Sequence, residues 1–298
     1  MHIITVTPLN SSNDLKGAIM RDLLRLGKLL NALLPLTVTL PAAAHEYWIE
    51  PVSYQIVPGE HLQAQLKVGQ HFQGDPQIFL PDAVKKFQIT TGSVVADVRS
   101  RIGDLPALDQ KIPSPGLALV SLVSNIFTLK YEQPGLFEKF LAYEGLDGVV
   151  QKHRARGLPA NGFKEAYQRF AKSLVQVGEG GGEDRLLGLG FEWLVETNPY
   201  TAADNRMQAR LFWRGEPLAA VRARLFVRRG MQVEEAVLTT DEEGRVRFTP
   251  DPGSEILLNA VQMREPSDRF PAPEGCVWIS YWATTTFALP ETVPTATK

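Results

Sequence analysis

The stretch Leu62-Gln63-Ala64-Gln65-Leu66-Lys67-Val68 alternates apolar and polar side chains without a break. Successive side chains of a β-strand point to opposite faces, so this alternation predicts a half-buried strand with one face toward solvent. Val94–Arg99 and the longer run Leu117–Tyr131 predict further strands, and turn signals such as Asp75-Pro76 separate them. The region 48–131 is therefore predicted to be a β-sandwich.

The last third of the chain returns to the same kind of pattern. The strand candidates are Met207–Trp213, Val221–Val227, Val233–Leu238, Arg245–Phe248 and Trp278–Phe287. Thr240–Gly244 is predicted to be the turn before the fourth of them. Short strands joined by tight turns at this spacing favour an immunoglobulin-like or transthyretin-like module. The sequence leaves open whether the two β-parts share one core.

Between the two β-parts, apolar residues recur at the spacing of a helix. Pro134 is placed where a helix can begin, and the apolar residues of 136–143 fall on one helical side. Apolar residues three and four apart predict a second helix from about Phe163 to Val177. The glycines of Gly178–Asp184 are accompanied by three acidic residues that repel phosphate, so this stretch is interpreted as a flexible linker rather than a phosphate-binding loop.

The sequence thus predicts a mainly β protein with two immunoglobulin-like or transthyretin-like β-sandwich parts and a short helical insert that caps the core. Its predicted segments are a signal peptide with an upstream extension at 1–44, an N-terminal β-sandwich at 45–133, a helical insert with a glycine-rich linker at 134–185, and a C-terminal β-sandwich module at 186–298.

The first segment has the features of a secretory signal. An apolar run, Leu29–Leu40, follows three basic residues and is too short to span a bilayer. Ala42 and Ala44 complete an Ala-x-Ala cleavage pattern, which makes His45 the first mature residue. The alternatives are an uncut anchor or tail, and a cut after Ala42. We expect a periplasmic or secreted protein without membrane insertion after cleavage.

Composition narrows the choice of partners. Residues 1–44 hold four of the 31 basic and two of the 33 acidic residues, which leaves 27 basic against 31 acidic ones. A net negative mature chain is a poor nucleic-acid binder, because such proteins need a basic face. Cys276 is the single cysteine of the sequence, so no internal disulfide can form.

Histidines cluster near the predicted new terminus. His45, His61 and His71 all lie within the first 27 mature residues. The α-amine and imidazole of a terminal His45 can chelate one metal ion, and His61 or His71 would complete a nitrogen site suited to nickel, cobalt or copper. Nearby carboxylates that can serve as oxygen ligands or as acceptors behind the histidines are Glu46, Glu50, Glu60 and Asp75. A cut after Ala42 would instead give an Ala-Ala-His square-planar site.

No sequence motif supports catalysis. The chain has no Gly-x-Ser-x-Gly elbow, His-Glu-x-x-His helix, P-loop or dinucleotide fingerprint, so we expect a protein that is not an enzyme. An oxidising enzyme with a copper site at His45 is a minor alternative. His153 lies among basic residues that repel a cation, and we expect it to be a surface residue.

Several segments together resemble the NikM-like family of exported proteins, a group long classed as a domain of unknown function and linked to nickel or cobalt uptake. The matching segments are Ala44–Pro51, Glu144–Leu146, Tyr167–Lys172, Asn198–Tyr200, Gly215–Leu218, Thr240–Gly244 and Trp278–Ala283. Their order extends over the whole mature chain, from about residue 44 to 289.

This resemblance implies an exported β-protein that binds a transition metal ion or delivers it to a membrane metal transporter. His45 is the residue that transfers most directly. Members of the family often have a histidine in the penultimate strand, where this chain has Val261-Gln262-Met263-Arg264. The competing hypothesis is an adaptor that binds a sugar or a protein through exposed aromatic rings, for which the candidates are Trp48, Trp193, Trp213, Trp278 and Tyr281.

Overall fold

The computed structural model describes residues 45–292, which form one compact unit, and the predicted signal segment at 1–44 lies outside the described residues. The strands are β1 (Glu46–Pro51), β2 (Gln55–Ile56), β3 (His61–Gln70), β4 (Gln73–Gln77), β5 (Val84–Thr91), β6 (Val94–Asp97), β7 (Leu108–Lys111), β8 (Gly116–Ser124), β9 (Phe127–Lys130), β10 (Lys164–Val177), β11 (Phe191–Val195), β12 (Met207–Trp213), β13 (Glu216–Pro217), β14 (Arg222–Arg229), β15 (Gln232–Thr239), β16 (Arg245–Phe248), β17 (Glu255–Arg264) and β18 (Cys276–Ala288). The helices are α1 (Leu136–Glu144) and α2 (Asp147–Ala155), and a 3-10 turn spans Pro81–Ala83.

A ten-stranded sheet forms the centre of the molecule. Its main path runs in the order β15-β14-β17-β18-β10-β8-β5-β6, and β2 and β9 also pair with β10. β10 pairs with β18 in parallel and with β8 antiparallel. Strands from all three predicted mature segments therefore share one sheet, and the two β-parts share a core.

Two smaller sheets cover opposite faces of this central sheet. The N-terminal sheet (β1, β3, β4 and β7) packs its apolar residues, such as Ile49 and Leu66, against Val120 and Val175 of the central sheet. The C-terminal sheet (β11, β12, β13 and β16) packs Phe191, Trp193 and neighbouring residues against the other face. The layered arrangement confirms the predicted mainly β, sandwich-type fold.

The two helices lie on the same face as the N-terminal sheet. Phe137 and Phe140 of α1 pack with Trp278 and Trp282 of β18. α1 ends at Gly145, whose φ of 72° needs glycine and whose missing Cβ leaves room for the Arg222 side chain. The first predicted helix is thus confirmed, and it caps the core as expected. No helix among residues 45–292 has the length and apolarity of a membrane span.

The second predicted helix is wrong, because Phe163–Val177 contains the long central strand β10. Both faces of β10 are buried: Phe170 and Leu174 contact one core, and Ala171 and Val175 contact another. A strand covered on both sides shows apolar residues at spacings that also fit a helix. The helix α2, which the sequence did not predict, lies between α1 and β10 instead.

Candidate functional site

The three histidines of the predicted metal site do not come together. β3 begins at His61 and ends one residue before His71, and a strand of ten residues spans about 30 Å. His45 precedes Glu46, which pairs with Gly69 near the His71 end. The structure thus places His45 and His71 at one end of the N-terminal sheet and His61 at the other. Among residues 45–292, no group of three or more His, Cys, Asp or Glu side chains is arranged as a ready metal site.

His71 is held in an unusual turn. His71 and Phe72 join β3 to β4 with φ values of 53° and 57°, in a two-residue hairpin where Asn-Gly is the favoured pair. A phenylalanine at positive φ is strained, and it persists because the Phe72 ring is fully buried against Trp48 and Phe226. The core therefore fixes the turn that carries His71.

A carboxylate orients the His71 ring. Nδ1 of His71 lies 2.8 Å from Oε2 of Glu235, which leaves Nε2 free, and 58% of the His71 side chain is exposed. Histidines that bind metals usually donate their other ring N–H to a carboxylate in this way. His61 has a similar partner in Asp109, at 2.5 Å, but it lies at the wrong end of the strand for a site with His45.

Behind His71 lies a cluster of charged residues, which we call the glutamate cluster. Glu46, Glu144 and Arg224 are buried, and Glu235 lies at the edge of the cluster with 25% of its side chain exposed. β1, the end of α1, β15 and β14 each contribute one of them. Arg224 forms ion pairs with Glu235 and, at 3.9 Å, with Glu144. One guanidinium balances the charge of one carboxylate, so the other two carboxyl groups need a proton or a cation to stay uncharged overall.

Glu46 has no polar partner in this cluster. Only 1% of its surface is exposed, and both of its carboxylate oxygens lack a hydrogen bond among the described residues. Burial raises the pKa of the Glu46 carboxyl to about 7, while its own backbone N–H and then the charges of His71 and Arg224 lower it. Burial, followed by repulsion from Glu46, raises the pKa of the Glu144 carboxyl to about 8. Both groups therefore hold protons near neutral pH.

Further polar atoms close to Glu46 are also unpaired. Asn259 is the cross-strand partner of Arg224, and both its side-chain amide atoms are buried without hydrogen bonds in the described chain. Nε of Arg224 also makes no hydrogen bond in the described chain, since the Glu144 carboxylate lies 3.9 Å away. Buried polar groups normally have hydrogen-bond partners, so these atoms make the glutamate cluster a candidate place for a polar ligand, an ion or water.

His45 lies one residue before β1 and contacts a different part of the protein from Glu46. Arg169 donates a hydrogen bond to the His45 carbonyl at 3.3 Å, and Nδ1 of His45 is buried without a partner within residues 45–292. Burial, and then the Arg169 charge, lower the pKa of the His45 imidazole, which favours the neutral, ligating form. Nδ1 is the nitrogen that forms a six-membered chelate ring with the α-amine of the same residue.

Sequence reasoning found the histidines and Glu46 but missed most of the glutamate cluster. Arg224 belongs to the strand predicted at Val221–Val227, but nothing in that pattern indicated that the end of α1 would bury its side chain. Glu235 lies on β15, an edge strand of the central sheet whose residues are mostly exposed. Glu46 and Glu144 both lie in segments that carry the family resemblance.

Other predicted residues occupy different places. Glu50 forms ion pairs with Lys67 at 2.8 Å and with Arg228 at 3.0 Å, and these two cations balance its negative charge. Glu60 and Asp75 are exposed residues near the two ends of β3.

The predicted surface position of His153 is wrong, because its ring is buried between Phe137 and Phe163. Of the five aromatic rings considered for an adaptor, Trp48, Trp193, Trp278 and Tyr281 are buried and Trp213 is partly exposed.

A family model described as a domain of unknown function, DUF4198, matches residues 42–264. The chain belongs to the DUF4198 family. This DUF4198 protein matches no curated protein. Among solved structures, a tyrosine-to-glycine mutant of Salmonella alpha-2-macroglobulin is similar at 11% identity and a TM-score of 0.19, over 83% of this chain and 15% of that one. The DUF4198 chain thus spans less than a sixth of that protein, and a TM-score this low carries no argument.

Proposed function

We propose that this DUF4198 protein is an exported carrier or accessory protein that binds one transition metal ion, Ni(II), Co(II) or Cu(II), and presents it to a membrane transporter, as the resemblance to the NikM-like family implies. The observation that supports this most directly is the buried carboxylate of Glu46, whose two oxygens have no partner in the described chain. An ionised carboxylate in such a place costs several kcal/mol unless a cation or a proton compensates it.

The nitrogen ligands come from the two histidines at the same end of the N-terminal sheet. After cleavage at Ala44, the α-amine and Nδ1 of His45 would form a chelate, and Nε2 of His71, oriented by Glu235, would supply a third nitrogen. Glu46 would supply an oxygen or balance the charge of the ion. Because the described residues do not bring three such side chains together, the His45 terminus and the His71 turn would have to close on the ion.

The first experiment uses the full chain exported by a bacterial host. Native mass spectrometry in equimolar Ni(II), Co(II), Cu(II) and Zn(II) reports both the mature terminus and the ion retained. We expect a mass that begins at His45 with one metal ion. A mass that begins at Ala43 with a metal ion would assign the Ala-Ala-His site instead, and a cleaved protein without metal would overturn the proposal.

Substitutions then locate the site. Titration calorimetry of His45→Ala and His71→Ala should show affinities at least about tenfold lower, because each substitution removes one nitrogen ligand. His61→Ala is the matched control, since His61 is equally exposed and also paired with a carboxylate but lies at the far end of β3. Unchanged affinity in His45→Ala, or an equal loss in His61→Ala, would contradict the assignment.

A further inference from the structure

The face of the central sheet opposite the metal site carries an open groove of about 730 Å³. It lies where the C-terminal sheet leaves part of β5 and β10 uncovered, and its walls include Lys86, Gln88, Phe170, Trp213, Arg214 and Tyr281. Its volume falls within the range of small-molecule sites. Arg224 and Glu46 lie on the other face, so this groove is separate from the glutamate cluster.

One wall of the groove is aromatic. The rings of Trp213 and Tyr281 are 4.9 Å apart in an edge-on arrangement, and Phe170 stacks on Tyr281 with centroids 6.4 Å apart. Trp213 is the member of this group that keeps exposed surface. Aromatic walls of this kind bind flat or apolar bodies.

The charged residues of the groove are mainly cations. Lys85, Lys86 and Arg214 line it together with one acid, Asp97, which accepts a hydrogen bond from Gln88 at 2.8 Å. None of the three cations forms an ion pair in the part of the chain that the structure describes, whereas Arg224 and Arg228 are both paired with glutamates. Positive charge beside apolar walls complements an anion.

Arg214 is fixed in place. Its guanidinium lies 5.3 Å from the centroid of the Trp213 ring and 4.9 Å from that of Phe270, and Nη2 donates to the carbonyl of Arg269 at 2.8 Å. The residue has a φ of 53° in the turn after β12, a position that glycine or asparagine normally fills. The Arg214 guanidinium is therefore held over an aromatic ring. Because a guanidinium has five N–H groups, several of them remain available to bind a ligand.

Further arginines add to the local potential. Arg264 lies 6.0 Å from the Trp213 ring, and Arg269 lies 5.7 Å from the Phe270 ring. Burial lowers the pKa of Arg264, and repulsion by Arg269 lowers it further. This end of the groove thus collects guanidinium groups that an anion would stabilise.

We propose that this groove is a second binding site, for a small organic anion whose carboxylate or phosphate binds Arg214 and Lys86 and whose flat apolar body packs on Trp213 and Tyr281. The site is independent of the metal ion, because it lies on the opposite face of the central sheet and shares no residue with the proposed metal ligands.

Simple probes test the chemistry. Titration calorimetry with benzoate and with phenyl phosphate, on the full protein freed of metal with EDTA, should give saturable binding. Benzyl alcohol, which has the ring without the charge, and inorganic phosphate, which has the charge without the ring, should each bind at least about tenfold more weakly. Equal binding of benzyl alcohol, or no saturable binding of either ring-bearing anion, would overturn the proposal.

Variants place the binding in the groove. Arg214→Gln and Lys86→Gln should each weaken benzoate binding, the first by about tenfold, as loss of a charged hydrogen bond implies. Arg210→Gln is the matched control, because Arg210 also stacks on a ring, that of Phe212, but lies outside the groove. His45→Ala should leave benzoate binding unchanged. Unaltered binding in both groove variants would place the anion elsewhere and refute the site.

Discussion

Nζ of Lys172 lies 2.8 and 2.7 Å from the two carboxylate oxygens of Asp184, and both side chains are almost completely buried. The Asp184 carboxylate also accepts hydrogen bonds from the backbone N–H groups of Arg185 and Val195, each at 2.8 Å. Lys172 belongs to β10, and Asp184 ends the glycine-rich segment that precedes β11. A fully satisfied ion pair therefore fastens this end of a segment that the sequence predicts to be a flexible linker.

The first prediction concerns this ion pair. Lys172→Met or Asp184→Asn should each lower the free energy of unfolding by about 3–5 kcal/mol, because each leaves an uncompensated buried group. The double variant Lys172→Met/Asp184→Asn should lose much less than the two single losses combined, because neither charge is then left without its partner. Urea denaturation measures all three. Single losses below about 1 kcal/mol, or fully additive losses, would contradict the structural role of the pair.

Glu165 supports a prediction about pH. Its buried carboxyl accepts a hydrogen bond from the Tyr131 hydroxyl at 2.7 Å and one from Ser280. Burial raises the pKa of Glu165 to about 7, although both hydrogen bonds lower it. A folded-state pKa above the unfolded value means that the native state holds its proton more tightly. This contribution to stability is complete below about pH 4.5 and is lost as the pH rises to about 7.

The measurement compares wild type with Glu165→Gln across that pH range. The stability of wild type relative to the variant should fall by about 3 kcal/mol between pH 4 and pH 8, since the amide does not titrate. Glu242→Gln, in an exposed turn, is the control and should track the wild type. A pH-independent difference between wild type and Glu165→Gln would show that Glu165 does not titrate as described.

Glu46 is predicted to lower the stability of the metal-free protein and to raise its affinity for metal. Glu46→Met removes a buried carboxylate that has no partner in the described chain, so the metal-free variant should be more stable than wild type by about 1–3 kcal/mol at pH 8. The same variant should bind metal more weakly. Thermal unfolding in EDTA and metal titration test the two parts separately. A destabilised variant would mean that the Glu46 carboxylate is compensated in the apo protein.

The sequence predicted the outer strands well and the centre of the molecule poorly. β3 and β12 alternate cleanly because one face of each is buried, whereas β10 is covered on both faces and its apolar spacing also fits a helix. The glutamate cluster joins residues as far apart as Glu46 and Glu235. No local pattern encodes such a contact, because it depends on how α1 and the His71 turn pack on β14.

His153 also makes contacts that its local sequence does not indicate. Nδ1 of His153 accepts a hydrogen bond from Nε1 of Trp278 at 2.9 Å, and Nε2 lies 2.9 Å from the Pro159 carbonyl. Accepting at Nδ1 requires the tautomer with hydrogen on Nε2, which then donates to Pro159. The His153 imidazole thus provides hydrogen bonds both to the buried Trp278 indole and to the backbone of the segment after α2. Its basic neighbours in sequence gave no sign of this.

His153→Leu keeps an apolar side chain between the aromatic rings but leaves the Trp278 N–H without its acceptor. We expect a loss of about 1–3 kcal/mol of unfolding free energy, the penalty for a buried donor without a partner. His61→Ala, which removes an exposed histidine and its ion pair, should change stability by less than about 1 kcal/mol. Denaturant unfolding followed by tryptophan fluorescence measures both variants. An equal effect of the two would mean that the hydrogen bond from Trp278 to His153 contributes nothing to folding.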